Sequence, residues 1–323
     1  MNKDIKYFGI DISHLVFDVT DSDGNYYQFK NKVSGFNKFK KLLNCNSHCV
    51  MEATGYYHYQ LAYYLFENDK KVSVENPLAV KRFIQMRLSK IKTDKSDSKL
   101  ICAYAEQVEL KLWKGSSKEV QESLQITRAL SVYTKQRTML KNKLHGESVL
   151  GEPSKAVVRS LKRSLRQLDK EVGTLEEKLL LLVKESHKDL FTRIKTIPGI
   201  GRKTAIMLIV LTGGFERFSS AGELCSYAGL TPVIRQSGSS VKGRPRISKM
   251  GNQKLRNLLF MCSFSACKYN KSCRALYERI VAKGKSKKLA LIAVCNKLLK
   301  QAFAIAKSGL IFDNEYKSKL AKI

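Results

Sequence analysis

Along residues 5–30 apolar and polar side chains alternate in three short runs, IKYFGID, LVFDVTD and NYYQFKN, with Ser-Asp-Gly-Asn at 22–25 between the last two. Alternation of period two, broken by such a turn, predicts a three-strand meander. A short amphipathic helix near 35–43 follows, then a buried strand HCVMEA at 48–53 and a helix over 57–68. A strand at 71–76, a helix opened by Pro77 and another after Thr93 complete the region. The order βββαβαβα predicts an α/β domain of mixed sheet over residues 1–113.

From about residue 117 the period changes to that of long helices. Leu161, Leu165, Leu168, Val172, Leu175, Leu179 and Leu182 step by alternating fours and threes, and Gly146, Gly151 and Pro153 separate this helix from the one before. Such a seam predicts a coiled-coil region, residues 114–190. A helix of the same chain and a helix of a second copy fill it equally well, so a hairpin and a subunit-joining coil both stand. Residues 191–323 read as mainly α, opening with IKTIPGIGRKTAIMLIVL at 194–211. Two helices joined by Pro-Gly-Ile-Gly predict a helix-hairpin-helix, in which Gly199 and Gly201 free backbone N–H groups for a phosphate and Arg202 and Lys203 stand beside them. A tight corner between two packed helices uses glycine in the same way.

Charge changes the picture. The 323 residues hold 59 Lys+Arg against 28 Asp+Glu, a formal charge of +31. Residues 1–113 carry 17 bases and 13 acids, 114–194 carry 17 and 10, and 195–323 carry 25 and 5. Self-repulsion of that size points to a polyanionic partner, nucleic acid first, held mainly by the last third. Eight cysteines without C-x-x-C pairs or histidines at zinc spacing argue against a disulfide framework and against structural zinc. The N-terminus has no apolar leader, and the run 289–306 is broken by Lys297 and Lys300. The expectation is a cytoplasmic, nucleoid-associated protein without a membrane span.

Asp11 ends the first strand, Glu52 ends the fourth, and Asp94 and Asp97 fall three apart in KTDKSDSKL. Neighbouring strand ends open on one cleft, and an i, i+3 pair shares a helix face, so four carboxylates converge on a hard cation. Two Mg²⁺ roughly 4 Å apart would clamp a scissile phosphate. Singly, each Asp has an ordinary reading as a helix N-terminal or strand-end residue. Glu52 is more telling, because an acid directly after Cys-Val-Met is costly to bury without a compensating cation.

The stretch RQSGSSVKGRPRISKMGN, residues 235–252, holds four serines, three glycines and five cations and no acid. Arg235, Lys242, Arg244, Arg246 and Lys249 suit a phosphate, and a serine hydroxyl attacking a phosphodiester would conserve its energy for rejoining. Among Ser237, Ser239 and Ser240 the residues alone do not choose, and loop filler reads the same way.

Taken in order, GIDIS, MEATGYY, KTDKSDSKLICAYA, TIPGIG and AGLTPVIRQSGSSVKGRPRISKMGNQKLR resemble the DEDD transposases of insertion sequences, the bridge-RNA-guided recombinases, over nearly the whole chain. The resemblance implies an RNase H-type, RuvC-like N-terminal domain, a coiled coil that helps assemble a tetramer (a dimer of dimers), and a C-terminal transposase domain. It implies Mg²⁺ at Asp11, Glu52, Asp94 and Asp97, and Ser237 as the nucleophile that forms a 5′-phosphoserine bond. Target and donor DNA and a guide RNA would be the partners, with Arg256 of the closing Leu-Arg added to the contacting cations. Two other readings remain: a RuvC-like nuclease that activates water, and a non-catalytic architectural binder.

Overall fold

The computed structural model of the chain describes residues 5–53, 55–87, 93–115, 117–234, 236–237, 241–243 and 246–316. It forms two compact units, Met1–Ser116 and Ser117–Ile323.

The N-terminal unit is built on a five-stranded sheet in the order β3-β2-β1-β4-β5. Its strands are β1 (Lys6–Ile12), β2 (Val16–Asp21), β3 (Tyr26–Lys30), β4 (Ser47–Glu52) and β5 (Lys71–Glu75). The meander β1-β2-β3 is antiparallel, whereas β4 and β5 join it in parallel. Helices α1 (Val33–Lys40) and α2 (His58–Glu67) supply the crossovers, and α3 (Pro77–Met86) and α4 (Asp94–Gln107) follow the last strand. The mixed α/β fold inferred from the alternation is therefore what forms, and it is compatible with an RNase H-like domain.

Two apolar layers follow from the pleat. Phe8, Ile10, Phe17, Val19, Cys49 and Met51 face α1 and α2 through Phe36, Phe39, Leu61 and Leu65. On the other face Val50 meets Val80 and Phe83 of α3 and Ile101 and Tyr104 of α4. Gly9 lets α4 lie directly on β1: a Cβ there would come 2.2 Å from the Cys102 nitrogen and 2.4 Å from the Ser98 carbonyl oxygen. A buried hydrogen bond of 2.8 Å between the hydroxyls of Thr20 and Ser98 ties the same helix to β2.

The C-terminal unit is helical. Helices α5 (Lys118–Val149) and α6 (Lys155–Lys195) form an antiparallel hairpin, with Ile126 and Leu130 packed in one core with Val172, Leu179 and Leu182. Ion pairs Arg137–Asp169 at 3.2 Å and Lys178–Glu122 at 3.5 Å cross it. The heptad seam is thus met by α5 of the same chain, the first of the two partners its spacing allows, and a subunit-joining coil is not shown. His187 breaks α6 with non-helical φ −143° and ψ 40°. Beyond it, α7 (Arg202–Thr212) is buried along Thr204–Thr212, as an all-apolar helix must be. Around it pack α8 (Ala221–Tyr227), α9 (Gln253–Tyr269), α10 (Lys271–Ala282) and α11 (Lys287–Ser308). By length and composition α11 is apolar enough to cross a membrane, yet Val294, Leu298, Leu299 and Ala302 are wholly buried in this core.

Candidate active site

Asp11 and Glu52 lie one step beyond the last paired residues, Ile10 and Met51, of two parallel neighbours. They share the face that Gly9 and Val50 present to α4. That helix starts above them, capped by Thr93, whose hydroxyl accepts from the Ser96 N–H at 3.1 Å while the Ser96 hydroxyl accepts from the Thr93 N–H at 2.8 Å. The cap fixes Asp94 and Asp97 in the first turn, where the helix dipole favours acids.

The Asp11 carboxyl is pushed up to about 6, first by burial and then by the charges of Asp97, Asp94, Glu52 and Asp18. Among the described residues, however, no three His, Cys, Asp or Glu side chains stand close enough to grip one ion as they are. The donor set is all carboxylate, without imidazole or thiolate, which suits a hard, oxygen-seeking divalent cation rather than a soft one.

Asp18 escaped the sequence reading. It pairs with Asp11 across the β1-β2 ladder and is 1% exposed. Its carboxylate accepts from the Tyr26 hydroxyl and, at 3.0 Å, from Gln28 Nε2. The bond to Asp18 pushes the Tyr26 phenol up to about 12, so Tyr26 stays a donor. The signal was available: alternation along FDVTD puts Asp18 on the face opposite Phe17 and Val19, inside a strand.

In the C-terminal unit, Ser237 closes the two-residue strand β7 (Gln236–Ser237), which pairs antiparallel with β8 (Val241–Lys242). A second ribbon, β6 (Pro232–Val233) with β9 (Arg246–Ile247), lies at its base. Arg235, Gly238, Ser239, Ser240 and Arg244 fall outside the described residues. The base is cinched where AGLTP meets ISKMGN. There the Ser248 N–H donates to the Thr231 carbonyl at 2.9 Å and the Asn252 N–H to that of Tyr227 at 2.7 Å. Gly251, at φ 131°, admits the contact, since a Cβ would sit 2.2 Å from the Tyr227 oxygen.

The remaining candidates separate into two groups. Arg246 and Lys249 are exposed beside the ribbons, and Gly201, Arg202 and Lys203 are exposed at the start of α7, where Lys203 pairs with Glu176. Arg256 instead turns inward, donating to the Ala228 carbonyl at 2.9 Å. Gly199, at φ 102°, faces α9, where a Cβ would come 2.7 Å from that of Ala266. Its missing side chain therefore serves helix packing, and a helix-hairpin-helix phosphate seat is not shown. Sequence reasoning also passed over Lys254, whose ammonium donates to the Thr127 carbonyl at 2.8 Å and whose pKa is lowered by burial, pinning α9 to α5.

A mixed sheet with carboxylates at two strand ends and a helix start is followed, in the same chain, by a serine ribbon in a basic helical unit, and the matches to known proteins make this a transposase. A transposase model of the IS110 DEDD type matches residues 8–150, and the model described as Transposase IS116/IS110/IS902 family matches residues 191–278. The chain is 31% identical to the pilin gene-inverting protein of Moraxella lacunata over 95% of this chain and 97% of that one. The Moraxella bovis protein of that name gives the same identity and coverage. A transposase for insertion sequence element IS1111A of Coxiella burnetii is 23% identical over 91% of this chain and 88% of its own. The chain belongs to the IS116/IS110/IS902 transposase family.

Proposed function

We propose that the chain is an RNA-guided DNA recombinase in which Ser237 attacks a DNA phosphorus while Asp11, Glu52, Asp94 and Asp97 hold Mg²⁺ against the same phosphate. The family is generally dependent on a divalent metal. When bound, the cation would polarise the phosphoryl oxygens and neutralise charge that builds on them.

The chain's own residues do the rest. The Ser237 hydroxyl gives up its proton as its oxygen bonds to phosphorus, and the bond from phosphorus to the 3′ oxygen breaks, that oxygen leaving as a 3′ hydroxyl. The 5′-phosphate is now a serine ester. Attack by a 3′ hydroxyl of another strand reverses the step and restores the serine, so strands are exchanged without ATP. Arg246 and Lys249, with Arg235, Lys242 and Arg244, balance the phosphoryl charge. Insertion of an element and inversion of a segment, the activity named for the Moraxella relatives, need this same break and rejoining.

The observation that supports the reading is the half-buried Asp11 with Asp97, Asp94 and Glu52 near it, its pKa raised first by burial and then by their charges, a cost that a divalent cation would relieve. Target and donor DNA and a guide RNA are the proposed partners, in a tetramer that brings acids and serine to one phosphate. Sequence choice then rests on base pairing, as in other guided systems.

The test incubates wild-type protein with Mg²⁺, DNA and the transcript of the noncoding DNA flanking the reading frame. An SDS-resistant protein–DNA band is expected with wild type and absent with Ser237→Ala. The gathering of the acids within the N-terminal unit favours one second reading, hydrolysis by activated water. Strand cutting that persists in Ser237→Ala without the band would establish it in place of the first.

A further inference from the structure

Helix α6 carries its charge unevenly. Residues 155–170 hold six cations and one acid, whereas residues 171–186 hold two cations and four acids. The six, Lys155, Arg159, Lys162, Arg163, Arg166 and Lys170, are all exposed, and among the described residues none enters an ion pair. At 100° per residue they fall within a stripe roughly 100° wide and about 22 Å long, well away from the side of the helix that carries Leu161, Leu165 and Leu168.

This arrangement costs the free helix stability. Arg159 and Arg163, Lys162 and Arg166, and Arg166 and Lys170 are like charges at i, i+4, each pair destabilising by a few tenths of a kcal/mol. Lys155 stands at the positive end of the helix dipole, where the first turn holds no acid and the Ser154 side chain makes no capping bond. An extended polyanion laid along the stripe relieves the repulsion both along the axis and at the terminus.

We propose that the α6 stripe is a docking surface for the phosphate backbone of duplex DNA, separate from the Ser237 ribbons. It rests on the DNA-recombining class of the chain and not on the identity of the nucleophile or on a guide RNA. A rigid helix with a row of cations matches a regular rod of phosphates, and it binds them without reading sequence.

The test uses the full chain and measures binding to a random-sequence DNA duplex by anisotropy across a salt series. Arg159→Gln/Lys162→Gln/Arg163→Gln/Arg166→Gln keeps helix propensity. It should weaken binding near physiological salt on the order of 10²-fold and flatten the slope of log Kobs against log[salt] by about 3 to 4, near 0.9 per lost phosphate contact. Its thermal midpoint should hold or rise, because repulsion is removed. The charge-conserving variant Arg159→Lys/Arg163→Lys/Arg166→Lys should bind as wild type does. The proposal fails if the glutamine variant keeps the wild-type slope, if the lysine variant loses binding equally, or if only duplex RNA binding changes. Wild-type protein that binds with this stripe-dependent slope but forms no SDS-resistant adduct would leave the stripe standing and remove the serine mechanism.

Discussion

In the N-terminal unit the chemically important side chains sit on stiff elements: two central, parallel strands and a capped first helical turn, all held by Gly9 letting α4 touch β1. In the C-terminal unit the candidate nucleophile sits on a two-residue strand, and among the described residues the base of its ribbons is bound through Gly251 and Asn252. Holding carboxylates against their own repulsion requires rigid support, since the charges push apart until a cation arrives. Presenting a hydroxyl to a long, variable substrate requires reach and a cationic surround, which a short ribbon between helices supplies.

The largest effect should come from the acids. Glu52→Gln and Asp97→Asn are expected to lower strand exchange by about 10³-fold or more, on the scale of losing one group that stabilises transition-state charge, while binding to DNA persists. Strand exchange at the wild-type rate in both would erase the division of labour. Next comes the support itself. Gly9→Ala drives a Cβ into the α4 backbone and should cost about 3 kcal/mol, because backbone cannot move aside as a side chain can. Gly251→Ala, strained in φ and facing the Tyr227 oxygen, should cost a similar amount and also suppress the adduct, which thermal unfolding and gels together would resolve.

A pH experiment sharpens the same contrast. His48 is buried on β4 at 2.9 Å from the Ser73 hydroxyl, and burial lowers its pKa from 6.5 to about 4. Between those values the unfolded chain binds a proton at His48 that the folded chain does not, so this group lowers stability as pH drops from about 6.5 to about 4. Asp11, whose raised pKa favours the folded chain as pH falls through about 6, opposes it, so the His48 contribution of about 1–3 kcal/mol is read as the difference between wild type and His48→Gln in chemical denaturation series. Smallest is the gain from Asp11→Asn, expected to stabilise the protein in chelator by about 1 kcal/mol through relief of carboxylate repulsion. Destabilisation in chelator would mean that the acids are structural.

Much of the N-terminal unit was legible because a strand pattern has only two faces. Once Phe8, Ile10 and Met51 claim one, Asp11 and Glu52 must share the other. Asp18 obeyed the same rule within the strand run LVFDVTD and was passed over. The C-terminal unit was less legible. A heptad seam states that a partner exists and not whose helix it is, although α5 carries Ile126, Leu130, Tyr133, Leu140 and Leu144 at a matching spacing. A glycine in a helix corner states close approach and not what approaches, so Gly199 read as a phosphate seat although Ala266 occupies the space. Arg256 was grouped with the surface cations because nothing in a basic run marks the one guanidinium that turns back to cap Ala228.

The most direct test of a shared active site is mass spectrometry of the peptide that carries the DNA. Wild-type protein with Mg²⁺ and its nucleic acids should yield a nucleotide 5′-phosphate on Ser237, and Asp11→Asn, altered only in the other unit, should yield none. A nucleotide on any other residue, or an undiminished Ser237 adduct in Asp11→Asn, would contradict the account.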